Sequence, residues 1–281
     1  MSTIAAAPTT SVKELRAIAK RVRSHIVRMV FNAQSGHPGG SLSATDLGVA
    51  LFWNHLRCDP ENALWPDRDR FILSKGHATP FLYSVLCERG FFGEELLSGF
   101  RTLGSPLQGH PSMQSVPGVE MSGGSLGQGM SFAIGHAMAG RMDKRDFRCW
   151  VMMGDGEQDE GQVWEAAMAV PHFNLGDRII AIVDRNGIQN DGFANEIMQT
   201  HPAEMYRGFG WHVLEIDGHD MAAVDQALTE AERPHDRPRC IVAATVKGKG
   251  VSYMENNPAY HGKAPTKEQF ELAMNEIEAS E

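Results

Sequence analysis

The sequence has 281 residues, of which 42% are hydrophobic and 22% charged, and its formal net charge at pH 7 is −9. This composition is typical of a globular protein and excludes a disordered chain and a disulfide-dense scaffold. The acidic balance argues against a nucleic-acid-binding protein, because phosphate backbones recruit clustered Lys and Arg side chains. We therefore expect no nucleic-acid partner.

Cysteine usage and hydropathy predict where the protein resides. The cysteines are far apart and show no Cys-x-x-Cys spacing: Cys58, Cys87, Cys149 and Cys240. Such residues are typical of reduced, mostly buried thiols in a cytoplasmic protein. The segment Met1–Pro8 has neither a basic region nor a sustained apolar run, so we predict no signal peptide. No stretch approaches a membrane-spanning length, and we expect no membrane partner.

Helices dominate the predicted structure of the first half of the chain. The spacing of Ser11 and Glu14 is that of a capping box, and an apolar stripe with Lys and Arg opposite it follows. Another helix is expected to open after the glycine-rich segment Ser122–Gly129. The four predicted helices run from the Ser11 cap to about residue 34, over residues 44–55 and 79–87, and from after Gly129 to about residue 142.

The second half alternates short apolar runs with helical patterns. The predicted strands are 149–153, 179–183, 211–216 and 241–246, and the helices are 161–173, 202–208, 221–231 and 266–279. Strands alternating with helices predict an α/β fold, a doubly wound and mainly parallel sheet with helices on both faces. We expect one domain over residues 1–281, because no linker, repeat or low-complexity segment divides the chain. In such a sheet the ligand lies beyond the carboxyl ends of the strands.

Oxygen-bearing side chains follow two of these strands. Asp155 lies within Gly154-Asp155-Gly156, and Asn186 follows the next strand along the chain. Hard divalent cations such as Mg²⁺ prefer oxygen ligands and are often shared with substrate phosphates. We predict that Asp155, the side-chain oxygen of Asn186 and the carbonyl of Ile188 bind such a metal. Gly154 and Gly156 would let the backbone approach a diphosphate.

Other interpretations of the same residues remain open. An isolated Gly-Asp-Gly is usually a tight turn, and only its pairing with Asn186 favours a metal site. An EF-hand loop fails because its sixth position would be Glu160 rather than Gly, and no Walker lysine follows the glycine-rich segment. Glu157 and Asp159 are interpreted as acids at a helix N-terminus, where unpaired N–H groups favour negative charge.

The dipeptide Gly-His occurs five times, although 29 Gly and 12 His in 281 residues predict roughly one such pair. Histidines in flexible loops suit proton transfer and hydrogen bonding to hydroxyls or oxyanions. The four loop histidines that we take as candidates are His37, His77, His110 and His261. We expect His136 to pack within a helix and His219 to belong to a turn that caps the next helix. No Cys/His spacing supports a zinc site.

These segments resemble the transketolase family. The matching stretches occur in the same order: Ser35–Gly40, Ser74–Ala78, Gly109–Pro111, Gly124–Gly129, Gly154–Gly156 with Asn186, and Tyr260–Gly262. The resemblance covers nearly the whole chain but only the N-terminal, diphosphate-binding domain of a full transketolase. It is greatest to the N-terminal subunit of a split, two-gene transketolase.

The resemblance implies a cofactor and a set of contacts. It implies thiamin diphosphate held through Mg²⁺ or Ca²⁺, with Asp155, Asn186 and the Ile188 carbonyl as the metal ligands. The other implied cofactor residues are His77, Gly156, Gly124, Leu126 and Glu160, the last beside a glutamate of a partner at a dimer interface. His37, His77, His110 and His261 are the implied catalytic residues. Asn190 departs from the family, since many relatives carry an apolar residue there against the thiazolium.

The implied activity is transfer of a two-carbon ketol unit from a ketose or ketose phosphate to an aldose. The activating glutamate of the family lies in the pyrimidine-binding domain, so the resemblance implies an inactive isolated chain and a C-terminal partner subunit. The expected assembly is a dimer or heterotetramer. The alternatives are a subunit of a 2-oxoacid dehydrogenase or a deoxyxylulose-phosphate synthase, and a non-catalytic subunit that binds thiamin diphosphate.

Overall fold

The computed structural model describes residues 9–280. The segment Met1–Pro8, for which we predict no signal peptide, lies outside the described residues, as does Glu281. The described chain forms a five-stranded sheet in the order β1-β2-β3-β5-β4, and every neighbouring pair is parallel. Its strands are β1 (Arg70–Leu73), β2 (Cys149–Gly154), β3 (Ile179–Arg185), β4 (His212–Asp217) and β5 (Arg239–Ala244). The predicted α/β class is confirmed.

The sheet contains one strand more than the sequence pattern predicts. All four residues of β1 are buried, and they pair with β2 from Arg70 opposite Cys149 to Leu73 opposite Met152. A strand buried on both faces has no polar alternation, and a run of four residues is too short to stand out. The missed strand carries Ser74, Lys75 and His77 at its carboxyl end.

Ten α-helices surround the sheet in the described part of the chain. They are α1 (Val12–Ala33), α2 (Pro38–Ser43), α3 (Thr45–Ala50), α4 (Thr79–Glu88), α5 (Gly129–Met142), α6 (Gly161–His172), α7 (Ala194–Ile197), α8 (Pro202–Gly208), α9 (Met221–Glu232) and α10 (Lys267–Ala279). The predicted capping box is present at the start of α1, where Ser11 and Glu14 exchange hydrogen bonds. The short helices α2 and α7 were not predicted.

The helix predicted over residues 44–55 is correct only for its first half. It ends as α3 at Ala50 and continues as a π-helical turn over Leu51–His55. The turn is closed by the N–H of Leu56, which donates to the carbonyl of Leu51 at 2.8 Å. This π-helical turn, which is wider than an α-helical one, contacts α9. There His55 lies between the carboxylates of Asp225 and Glu232. Tertiary contacts of this kind cannot be read from helical periodicity.

Alternate residues of each strand enter two hydrophobic cores. On β2, Trp150 and Met152 belong to the core shared with α1, α3, α4 and α9. Cys149, Val151 and Met153 point to the other core, shared with α5 and α6. Both faces of the sheet are thereby covered, as a doubly wound fold requires. Across residues 9–280, no helix combines the length and apolarity needed to cross a bilayer.

Candidate active site

The carboxyl ends of four strands meet around a cavity of about 180 Å³. Its lining includes Lys75 from the loop after β1, Asp155 after β2, Asn186 after β3 and Lys247 after β5. The structure thus brings together the two loops that the sequence places at the site, after β2 and β3, and the loop after β5. It adds the loop that follows the unpredicted strand β1.

The three predicted metal ligands line this cavity together. Asp155 accepts a hydrogen bond from the N–H of Gly187, and Asn186 Oδ1 accepts one from the N–H of Ile188 at 3.2 Å. Burial raises the pKa of Asp155, although the Gly187 hydrogen bond opposes this. A carboxylate, an amide oxygen and a main-chain carbonyl are hard oxygen donors, and a cation would stabilise the buried charge of Asp155.

Lys247 is a site residue that the sequence reasoning missed. Its Nζ donates to the carbonyls of Ile188 and Gln189 at 3.1 and 3.3 Å and lies 2.8 Å from His261 Nδ1. Burial and the nearby ammonium of Lys75 lower the pKa of Lys247 to about 8. The one signal in the sequence is its position just after a predicted strand, which places it at the same edge as Asp155.

A second lysine, Lys75, forms a buried ion pair with Asp184. Lys75 Nζ also donates to the carbonyl of Gly40 at 2.8 Å, and Asp184 Oδ2 accepts from Ser43 Oγ at 2.6 Å. Asp184 Oδ1 accepts from the hydroxyl of Thr245. Burial works to raise the pKa of Asp184, but Lys75 and these hydrogen bonds outweigh it and lower that pKa. The pair joins four segments beneath the cavity.

Three of the four predicted histidines cluster at one place. The ring centroids of His37, His77 and His261 are 5.1–5.3 Å apart. Burial and nearby cations lower the pKa of His37 to about 4 and that of His261 to about 3, and they lower the pKa of His77 well below its usual value. All three imidazoles are therefore neutral at pH 7, and each can donate one hydrogen bond and accept another.

His110, the fourth predicted histidine, makes no ring contact with the other three but is near enough to His37 to help lower the pKa of that residue. It is exposed and lines a shallower depression together with Ser35 and Arg101. The ring nevertheless packs closely against the glycine-rich loop, because a Cβ on Gly124 would lie 3.4 Å from it. His110 therefore borders the site from outside the cavity.

The glycine-rich loop adopts backbone conformations that favour glycine. Gly124 has φ +147° and Gly127 has φ +79°, and a Cβ on Gly76 would lie 2.8 Å from the N of Gly124. Leu126 lines the cavity, whereas Glu160 is exposed at the N-cap of α6. The structure thus places Leu126 at the cavity and Glu160 on the surface next to it.

Two acids that the sequence assigned to a helix N-terminus have other partners. Glu157 lies in a 3-10 turn and is 1% exposed, with its carboxylate bonded to Ser74, Gly127 and Gly154. Asp159 Oδ2 accepts from Gln189 Nε2 at 2.7 Å and so ties the loops after β2 and β3 together. Both acids do lie in the first turn of a short helix, as predicted, but their carboxylates bond mainly to groups distant in sequence and not to that helix's own free N–H groups.

The two histidines set aside as structural have defined packing roles. His136 lies within α5 and packs against Phe132, with ring centroids 4.6 Å apart and the rings tilted, as expected for a packing role. His219 lies in the turn before α9, as expected, and the adjacent Asp220 caps that helix. The His219 ring lies 2.8 Å from Asp46, and its Nε2 accepts from the N–H of Val246 at 2.8 Å.

Comparison with known proteins agrees with this geometry. The family described as "Transketolase, thiamine diphosphate binding domain" matches residues 14–277. The chain belongs to the transketolase family. A crystal structure of transketolase from Campylobacter jejuni superposes with a TM-score of 0.91 at 32% identity, covering 96% of this chain and 43% of that one.

Two transketolase relatives have nearly the same length as this chain. One is a subunit of the apulose-4-phosphate transketolase of Phocaeicola vulgatus, at 39% identity over 95% of this chain and 94% of that protein. The other is the 6-deoxy-6-sulfo-D-fructose transketolase subunit SqwG of a Clostridium species, at 43% identity over 86% of this chain and 88% of that protein. Human transketolase is 35% identical, and the chain spans 42% of its length. The family resemblance predicted from the motifs is confirmed.

Proposed function

We propose that this chain is the diphosphate-binding subunit of a two-chain transketolase that transfers a two-carbon ketol unit from a ketose or ketose phosphate to an aldose. The observation that carries the proposal is that Asp155, Asn186 and Ile188 line one cavity, in a chain that two transketolase subunits match over 95% and 86% of its length. We further propose that residues 1–281 form one domain and that the protein is cytoplasmic.

Thiamin diphosphate with Mg²⁺ or Ca²⁺ is the proposed cofactor. The three oxygen ligands would hold the metal, and the metal would hold the diphosphate, which is the usual way in which Mg²⁺ is shared between protein and phosphate. Lys247 supplies a positive charge at the same cavity, and His77 and Gly156 line it. A Cβ on Gly156 would lie 3.1 Å from the side chain of Gln189, so the loops already approach closely there.

The remaining cofactor contacts are proposed from the glycine-rich loop. Gly124 and Leu126 would hold the aminopyrimidine, and Glu160 would meet a partner's glutamate at a dimer interface. The exposure of Glu160 is compatible with that role, because an exposed side chain can contact a second chain. Asn190 lines the cavity and is exposed, so a polar group would face the thiazolium where many relatives have an apolar one.

The chain's own residues would orient the sugars and move protons. When bound, thiamin diphosphate supplies a nucleophilic carbon that attacks the ketose carbonyl. His37, His77 and His261 enter this chemistry as neutral imidazoles, which can accept a proton at one nitrogen while donating a hydrogen bond at the other. His110, at the rim, would contact sugar hydroxyls.

A separate chain is proposed to complete the active site. The present chain spans 42–43% of the length of human and Campylobacter jejuni transketolases. The two relatives that have nearly the length of this chain are themselves named as subunits. We propose a C-terminal partner that supplies the pyrimidine-binding domain, in a heterotetramer. The donor would be a small sugar or sugar phosphate, and the relatives' names point to phosphorylated or sulfonated sugars.

We expect the isolated chain to show no ketol transfer, and activity to appear when the C-terminal subunit is added. The physical reason is that the glutamate that activates the cofactor in this family lies in the pyrimidine-binding domain, which the proposed partner would supply. The measurement is product formation from a ketose donor and an aldose acceptor with thiamin diphosphate and Mg²⁺, using the two proteins separately and together. Pyruvate as donor is the comparison for the other thiamin-dependent classes. Full activity of the purified single chain would contradict the two-chain proposal.

A further inference from the structure

Glu157 is a buried carboxylate beside the cavity that the proposed chemistry does not use. It lies in the 3-10 turn over Gly156–Asp159, between β2 and α6. Its side chain is sealed from solvent although Asp155, two residues before it, lines the same cavity. A charge in such a place is costly unless several hydrogen bonds compensate for its lost hydration.

Three donors from three segments converge on this carboxylate. Glu157 Oε1 accepts from the N–H of Gly127 at 2.8 Å and from the hydroxyl of Ser74, and Oε2 accepts from the N–H of Gly154 at 2.9 Å. Ser74 Oγ in turn accepts from the N–H of Gly129 at 3.0 Å. Ser74 follows β1, Gly154 ends β2, and the other two belong to the glycine-rich loop.

The three donors require acceptor oxygens on both sides of the Glu157 side chain. Burial raises the pKa of Glu157, whereas the hydrogen bonds from Ser74, Gly154 and Gly127 act in the opposite direction and stabilise the carboxylate. A carboxylate has acceptor oxygens on both sides and can satisfy all three donors. An amide at the same place would turn an NH₂ group toward one of the donors and leave that donor unpaired.

We propose that Glu157 is a positioning residue that fixes the glycine-rich loop against the end of β2. The proposal rests on the proposed function, in which this loop holds the aminopyrimidine and the end of β2 carries the metal ligand Asp155. Glu157 then sets the distance between the two halves of the cofactor site without touching the metal. Gly127, at φ +79°, can turn its N–H toward the carboxylate at little cost.

The test compares two ligands on the full-length chain. Calorimetric titrations with thiamin diphosphate and with inorganic pyrophosphate, each with Mg²⁺, are made on the wild type, Glu157→Gln and the exposed control Glu271→Gln. We expect Glu157→Gln to weaken the binding of thiamin diphosphate about tenfold or more, the effect of leaving one buried donor unpaired. The affinity for pyrophosphate, which lacks the aminopyrimidine that the loop is proposed to hold, should change less than about threefold. Glu271→Gln should match the wild type.

Amide hydrogen exchange tests the anchoring role without any ligand. In Glu157→Gln the N–H groups of Gly127 and Gly129 should exchange about tenfold faster or more, because their acceptors are lost or displaced. Unchanged exchange, unchanged thiamin diphosphate affinity, or an equal loss for both ligands would overturn the proposal. If the wild type binds neither ligand, the proposed cofactor fails while the exchange data still decide the role of Glu157.

A second variant covers the case in which Glu157→Gln does not fold. Ser74→Ala keeps the carboxylate but removes the hydroxyl that links it to Gly129. We expect the same pattern with a smaller loss, affecting thiamin diphosphate and not pyrophosphate, together with faster exchange at Gly129. Wild-type behaviour of Ser74→Ala in both measurements would count against the proposal.

Discussion

Asp155→Ala is expected to abolish metal-dependent binding of thiamin diphosphate. Asp155 is the only anionic group among the three proposed ligands, and the other two are neutral oxygens from Asn186 and Ile188. Removing the charge should cost more than about 100-fold in affinity, since even groups that merely orient a metal ligand are worth 10–100-fold. Calorimetric titration with Mg²⁺ and after chelation measures the effect.

Two variants serve as controls for the loss at Asp155. Asp155→Asn keeps an oxygen ligand without the charge and should bind more tightly than Asp155→Ala but more weakly than the wild type. Asp177→Ala removes an exposed carboxylate from the turn before β3 and should leave binding unchanged. Wild-type affinity in Asp155→Ala, or an affinity in the wild type that does not depend on metal, would refute the assignment.

Lys75→Met is expected to destabilise the fold by about 3–5 kcal/mol. The substitution leaves Asp184 ionised and buried without its cation, and the remaining hydrogen bonds from Ser43 and Thr245 compensate only in part. The free energy of unfolding, measured by urea denaturation, reports the cost. The midpoint should fall with little change in slope if unfolding stays cooperative.

Two further variants test whether the stability loss comes from the unpaired buried charge of Asp184. Lys75→Met with Asp184→Asn removes both charges, so it should be more stable than Lys75→Met alone. Arg145→Met breaks an ion pair with Asp67 whose partners are 40% and 45% exposed, and it should cost less than about 1 kcal/mol. Equal stability losses in Lys75→Met and Arg145→Met would contradict the role given to the buried pair.

The sheet and the metal loops follow from patterns that are local in sequence. A strand, a glycine turn with Asp155, a crossover helix and a second strand ending near Asn186 are enough to place two side chains at one sheet edge. Loop histidines beside glycine were also visible, and three of them meet. The position of His110 at the rim could not be predicted, because a place in a loop does not define a residue's distance from residues in other loops.

The residues that were missed act through contacts distant in sequence. Lys75 pairs with Asp184, Lys247 reaches the carbonyl of Ile188, and Glu157 accepts from three segments. Charged residues next to turns are usually solvated, so nothing in the pattern marks them as buried. Their burial follows from the assembled sheet, including the short strand β1 that hydrophobic alternation does not reveal.

The most direct test of the central claim is a crystal structure of the chain with thiamin diphosphate and Mn²⁺, recorded at a wavelength where manganese scatters anomalously. Mn²⁺ suits the same carboxylate, carbonyl and amide oxygens as Mg²⁺. The proposed site predicts one strong anomalous peak in contact with the oxygens of Asp155, Asn186 and Ile188, with the diphosphate on its open side. An ordered coenzyme with no peak there, or a peak bound by other residues, would contradict it.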